Sequence, residues 1–131
     1  GMTVAGGEQR SLREGFVEVF ENRSMDIIMP DVTVVGGILE LKKVGDMAQA
    51  WDIPTAPHGP FGPVVNAAGA QAMAALPGFL ILEFGWGEVP WRGDLIIPRE
   101  EIVNGRLQVT DRPGLGVALN PDVVAEHRVD V

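Results

Sequence analysis

A chain of 131 residues, 46% of them hydrophobic, carries enough apolar material for one domain with a real core and too much for a disordered one. Its formal net charge of −8, with no local basic cluster, argues against a nucleic-acid partner, because no surplus of Lys and Arg exists to neutralise phosphates. The absence of cysteine excludes a disulfide framework and a thiolate metal site, and the longest apolar run, Leu76 to Leu82, is far too short to span a bilayer. The expectation is a cytoplasmic protein with no membrane contact and no signal peptide, in which Gly1 ahead of Met2 is a scar of tag removal.

Met2 to Ala5 reads as a brief strand ended by Gly6-Gly7-Glu8. Ser11 and Glu14 have capping-box spacing and predict a helix start, and Leu12, Phe16, Val19 and Phe20 follow as one apolar stripe. Asp26 to Met29 reads as a buried strand with Asp31 at its C-terminal end. Gly36-Gly37 then leads into a second helix over about Ile38 to Trp51, with Ile38, Leu41, Val44 and Ala48 inside. Ile53 to Ala56 is a weak third strand that runs into Thr55-Ala-Pro-His-Gly-Pro-Phe-Gly-Pro63, where three prolines and two glycines hold His58 in a rigid loop. A third helix over about Val64 to Ala75 is mostly alanine, and Phe79 to Leu82 reads as a fourth strand ending at Glu83.

Beyond Glu83, Phe84 to Ile97 reads as an ordered loop, with Trp86 and Trp91 expected in tail packing. Asn104-Gly105 between apolar runs predicts a type I′ hairpin over Ile102 to Val109. Arg112 to Gly116 is a further turn and Pro121 to Glu126 one helical turn, with His127 expected on the surface.

Strands alternating with crossover-length helices predict an α/β fold with a parallel sheet. A polar residue closes each strand: Glu8, Asp31, His58 and Glu83. In parallel α/β folds the C-terminal strand ends face the active site, so four such residues raise His58 from a lone histidine to a catalytic candidate. The bland alternative is that all four are polar groups rimming the strand ends.

Ala5-Gly6-Gly7-Glu8, Ile28-Met29-Pro30-Asp31 with Gly36-Gly37, Ala56-Pro57-His58-Gly59-Pro60, Leu82-Glu83 and Arg112-Pro113-Gly114-Leu115-Gly116 occur in one order over nearly the whole chain. Together they resemble the C-terminal half of the barrel in the mandelate racemase/muconate lactonizing enzyme family of the enolase superfamily. The resemblance implies a partial (β/α) TIM-type barrel of about four units, the fifth to eighth family strands, over residues 1–87. It implies a tail over residues 88–131 that packs on a capping domain. It implies that Glu8 is a ligand of an essential Mg²⁺ ion, His58 the general base, Asp31 its partner, and Glu83 a carboxyl on the enediolate side. The implied reaction removes a proton alpha to the carboxylate of a small-molecule acid, such as a sugar acid, in a dehydratase or racemase. Such a step needs a cation and hydrogen-bond donors to stabilise the developing dianion.

A complete barrel needs roughly 250 residues, and the resemblance leaves two metal ligands and a second-strand lysine motif outside this sequence. The expectation is therefore a truncated gene or one part of a split enzyme, with weak or absent metal binding and no turnover alone. Open sheet edges predict a homo-oligomer. The competing expectation is a non-catalytic oligomeric assembly or sugar-acid binding module.

Overall fold

The computed structural model describes residues 1–129. Its first part is a run of parallel segments, each laid beside the one before it. Strand β1 (Ala5–Gly6) pairs in parallel with β2 (Ile27–Ile28), with Ala5 opposite Ile27 and Gly6 opposite Ile28. Ile28 then bridges Thr55, Asp31 bridges His58, and Thr55 bridges Phe79, all in parallel. Parallel neighbours need long crossovers, and the intervening helices supply them: α1 (Glu14–Glu21), α2 (Ile38–Ala50) and α3 (Pro63–Ala74). The α/β reading of the sequence holds, although the regular ladders are two residues long and the segments at Thr55 and Phe79 are held by single bridges.

The core lies where the three helices meet the sheet. Phe16, Val19 and Phe20 of α1, Leu41, Val44 and Ala48 of α2, and Ala68, Ala72 and Met73 of α3 close over Ile28, Val35, Ile53 and Leu76. Phe20 stacks between Phe16 and Trp51, with ring centroids 6.2 and 6.3 Å away. Small residues set how closely the elements approach: a Cβ on Gly45 would lie 2.5 Å from Leu76 Cδ2.

Four local expectations are corrected. The Ser11–Glu14 capping box does not form; α1 starts after Arg13 with no side-chain cap. The cause is tertiary: Leu12 adopts φ 55° and donates its N–H to Val35 O at 2.9 Å, which turns the chain aside before the helix begins. Leu12 is consequently exposed instead of lying in the inner stripe, and Ile38 at the start of α2 is exposed too. Phe79 to Leu82 forms no regular ladder, and Phe79, Leu80 and Ile81 are exposed, because this segment is bonded on one side only.

The second part is a β-rich tail. A 3-10 turn (Arg92–Asp94) precedes β3 (Ile96–Ile97), and β4 (Ile102–Val103) and β5 (Arg106–Leu107) form the hairpin. Asn104 and Gly105 both have positive φ, 50° and 73°, as the type I′ turn requires. Strand β6 (Ala118–Leu119) returns antiparallel to β3, and α4 (Pro121–Glu126) is capped by Asn120, whose side chain accepts from the Asp122 N–H at 3.2 Å. Leu115 packs against the core, and Gln71 of α3 donates to Thr110 O at 3.3 Å.

Phe16 is fully buried against Phe20 and Gly7. Phe16→Ala should lower stability by about 3–5 kcal/mol, seen as a fall in the urea midpoint at unchanged slope.

Candidate active site

The parallel register brings two of the strand-end residues into direct contact. Asp31 follows β2 and bridges His58 in the next segment, so their side chains emerge side by side. His58 Nδ1 lies 2.7 Å from Asp31 Oδ2. The other oxygen of Asp31 accepts from Thr33 twice, from its N–H at 2.7 Å and from its hydroxyl at 2.6 Å. Asp31 has no exposed surface. Burial alone would raise its pKa, but the hydrogen bonds from His58 and Thr33 outweigh it and hold the carboxyl below its ordinary value. A carboxylate accepts only, so Nδ1 is the ring nitrogen that donates to Asp31 and Nε2 is turned away from it.

Nε2 faces the third candidate. Glu83 Oε2 is 3.7 Å from it, too long for a hydrogen bond, and is held instead by the Gly59 N–H at 3.1 Å. Phe61 stands edge-on to the imidazole, with centroids 5.5 Å apart. His58, Asp31 and Glu83 therefore form one cluster. Glu8 sits half-buried in the turn after β1.

Two residues belong beside this cluster that the sequence reading passed over. Asn66 on α3 is fully buried and donates to Gly59 O at 2.8 Å and to Glu83 O at 3.2 Å. Arg92 is buried in the tail, where its Nη2 donates to Asn66 Oδ1 at 2.6 Å and its Nε to Glu88 at 2.6 Å, while Glu100 takes Nη1. Burial would lower the Arg92 pKa, but the Glu100 and Glu88 carboxylates outweigh it and raise it, and the guanidinium lies 4.4 Å from the Phe84 ring centre. The available signal was a polar residue inside an otherwise apolar helical stretch, Val64 to Ala70.

Two tail expectations are corrected. Trp86 is 84% exposed instead of packed. His127 is not a bare surface group: it is half-buried and stacks on Trp91, with centroids 4.1 Å apart and planes 13° from parallel.

An oriented histidine and two carboxyl groups lie at the C-terminal strand ends of a parallel α/β arrangement, where the sites of such folds are found. The sequence comparisons give the family. Residues 1–123 match the model described as "Enolase C-terminal domain-like". The chain is 36% identical to D-xylonate dehydratase of Haloferax volcanii over 97% of its own length and 31% of that protein. It is 33% identical to D-galactarolactone cycloisomerase of Agrobacterium fabrum, over 96% of this chain and 35% of the relative. A mandelate racemase/muconate lactonizing enzyme-like protein from Rubrobacter xylanophilus superposes with a TM-score of 0.92 at 33% identity, covering 99% of this chain and 34% of that one. The chain belongs to the enolase C-terminal domain-like family, in the mandelate racemase/muconate lactonizing enzyme group of the enolase superfamily. It spans about a third of the length of the curated relatives it matches.

Members of this superfamily are generally magnesium-dependent. The donor set here does not by itself fit that ion. Magnesium demands near-octahedral oxygen ligation. Among the described residues no group of three His, Asp or Glu side chains is placed to hold a metal. Both Asp31 oxygens are engaged, and one Glu83 oxygen is bonded to Gly59. No helix among the described residues is long and apolar enough to cross a membrane.

The lowered Asp31 pKa has a pH signature. In the window between its native and unfolded values the unfolded state binds more protons, so stability there rises with pH. Its contribution is complete above the ordinary value of 3.8 and is lost as pH falls through the lower native one. Melting temperatures measured from pH 7 down to pH 2 should fall more steeply for the native protein than for Asp31→Asn, and the two curves should converge in acid.

Proposed function

We propose that His58 is the general base of an enolase-superfamily reaction that removes the proton alpha to the carboxylate of a sugar acid, and that this chain provides one wall of the site. The observation that carries the reading is the 2.7 Å bond from His58 Nδ1 to buried Asp31, which leaves Nε2 facing Glu83. Acid-sugar dehydratases and cycloisomerases among the relatives support the substrate class.

The chemistry of the chain's own residues follows. Asp31 fixes the ring and compensates the positive charge that forms when Nε2 accepts the carbon-bound proton. The electron pair left behind moves onto the substrate carboxylate, giving an enediolate. Glu83 stands on that side, positioned by the Gly59 N–H, and in its protonated form donates to an enediolate oxygen. Glu8 is the residue assigned to the Mg²⁺ site of a complete barrel, but one carboxylate holds that ion weakly. In this reading residues 1–87 are the second half of the barrel and residues 88–131 a tail against a capping domain, and turnover requires the rest of the barrel.

A chimera tests this: the first two-thirds of the Haloferax volcanii D-xylonate dehydratase joined to this chain. The chimera should dehydrate sugar acids, and His58→Asn should reduce kcat by about 10²–10⁴-fold. A folded, active chimera indifferent to His58→Asn overturns the assignment. The chain alone should give no turnover on the same sugar acids.

A second reading, a non-catalytic homo-oligomer, is favoured by a separate observation. A groove of about 710 Å³ runs between α3, the exposed segment Phe79 to Leu82, Trp86 and the hairpin. No further strand pairs with that segment among the described residues, and open apolar edges associate. We propose that a second copy of the chain covers this face. Light scattering after size exclusion should show a dimer or larger, and Ile81→Glu should shift it to monomer. A monomer at every concentration overturns the reading.

A further inference from the structure

The distance between His58 and Glu83 is not set by any direct bond between them. Asp31 orients the His58 ring, and the backbone beside His58 and at Glu83 is tied together. Gly59, directly after His58, and Glu83 itself present carbonyl oxygens to the same side-chain amide, that of Asn66, at 2.8 and 3.2 Å. The NH₂ of an asparagine has two donors, and both are used. The remaining oxygen accepts from Arg92 at 2.6 Å. Both polar atoms of the fully buried Asn66 side chain, Nδ2 and Oδ1, are therefore committed.

The clamp closes tightly. A Cβ on Gly59 would lie 2.4 Å from Glu83 O and 2.6 Å from Asn66 Nδ2, so only glycine permits the approach. The Gly59 N–H then reaches Glu83 Oε2 at 3.1 Å, so one glycine is bonded to Asn66 through its carbonyl and to Glu83 through its N–H. Arg92 in turn is seated by Glu88, Glu100 and the Phe84 ring, all from the segment after Glu83.

We propose that Asn66 and Arg92 are positioning residues that set the spacing of the His58 base and the Glu83 carboxyl. The proposal deepens the general-base reading above and rests on it for its functional meaning. Asn66 acts on the site through the two backbone carbonyls, and Arg92 acts through Asn66. Simple packing would require neither the amide nor the guanidinium.

The test is native-state hydrogen exchange by NMR on the full chain, which separates local loosening from global unfolding in one sample. In Asn66→Ala the Gly59 and Glu83 amides should exchange at least about tenfold faster than in the native protein, after subtracting any change common to Val19 and Val44 in the core helices. The contact between the His58 ring and the Glu83 side chain in the nuclear Overhauser spectrum should weaken with it. Arg92→Lys, which keeps the charge but cannot span Glu88, Glu100 and Asn66 together, should reproduce a smaller acceleration at Gly59 and supplies the readout if Asn66→Ala does not fold. Equal acceleration at all amides, or no change at Gly59, overturns the proposal. Because exchange needs no turnover, a chimera indifferent to His58→Asn would remove the base assignment and leave the clamp standing.

Discussion

The site depends on burying one carboxylate without leaving it unpaired. An isolated buried charge is expensive, and Asp31 avoids that cost with three donors: the Thr33 N–H, the Thr33 hydroxyl and His58 Nδ1. Two of these come from the residue two positions on, so the turn after β2 carries most of its own solvation. The third is the functional one. Asp31 cannot be satisfied without His58, and His58 cannot turn its ring without exposing Asp31. The orientation of the His58 ring is thus tied to the burial of the Asp31 carboxylate beside it.

That coupling explains why the parallel register matters. Asp31 and His58 are 27 positions apart, separated by a whole helix. They meet because each parallel segment is laid directly beside its predecessor with its C-terminal end at the same level. The same arrangement puts Glu83 next to His58. A single sheet edge therefore collects polar side chains from consecutive segments.

This logic decided what could be read from the sequence. Alternation of short apolar runs with crossover-length helices was visible, and it grouped Glu8, Asp31, His58 and Glu83 at the strand ends; contacts join the last three. The Asn104-Gly105 turn was equally legible, since its two positive φ values suit those residue types. The start of α1 was not. Ser11 and Glu14 have the local chemistry of a cap, but the bond from the Leu12 N–H to Val35 O is a long-range contact and it prevails. Exposure of Ile38 and of Phe79 to Ile81 was also out of reach, because apolar character predicts a preference for burial and does not say whether a neighbour is present. Asn66 and Arg92 were missed for a related reason. Their roles are defined by backbone carbonyls and by each other, and no spacing rule links positions 59, 66, 83 and 92.

The two halves of the chain are joined at the same point where the site is built. Arg92 belongs to the tail, yet its guanidinium reaches Asn66 on α3, and Asn66 reaches both Gly59 and Glu83. The tail is in that sense part of the support of the base. Loss of the tail would do more than expose apolar surface: it would take the Arg92 donor from the Asn66 side-chain oxygen. It would also free the amide to rotate away from the two carbonyls it holds. A geometry that looks local to His58 is maintained by a chain of bonds ending among Glu88, Glu100 and Phe84.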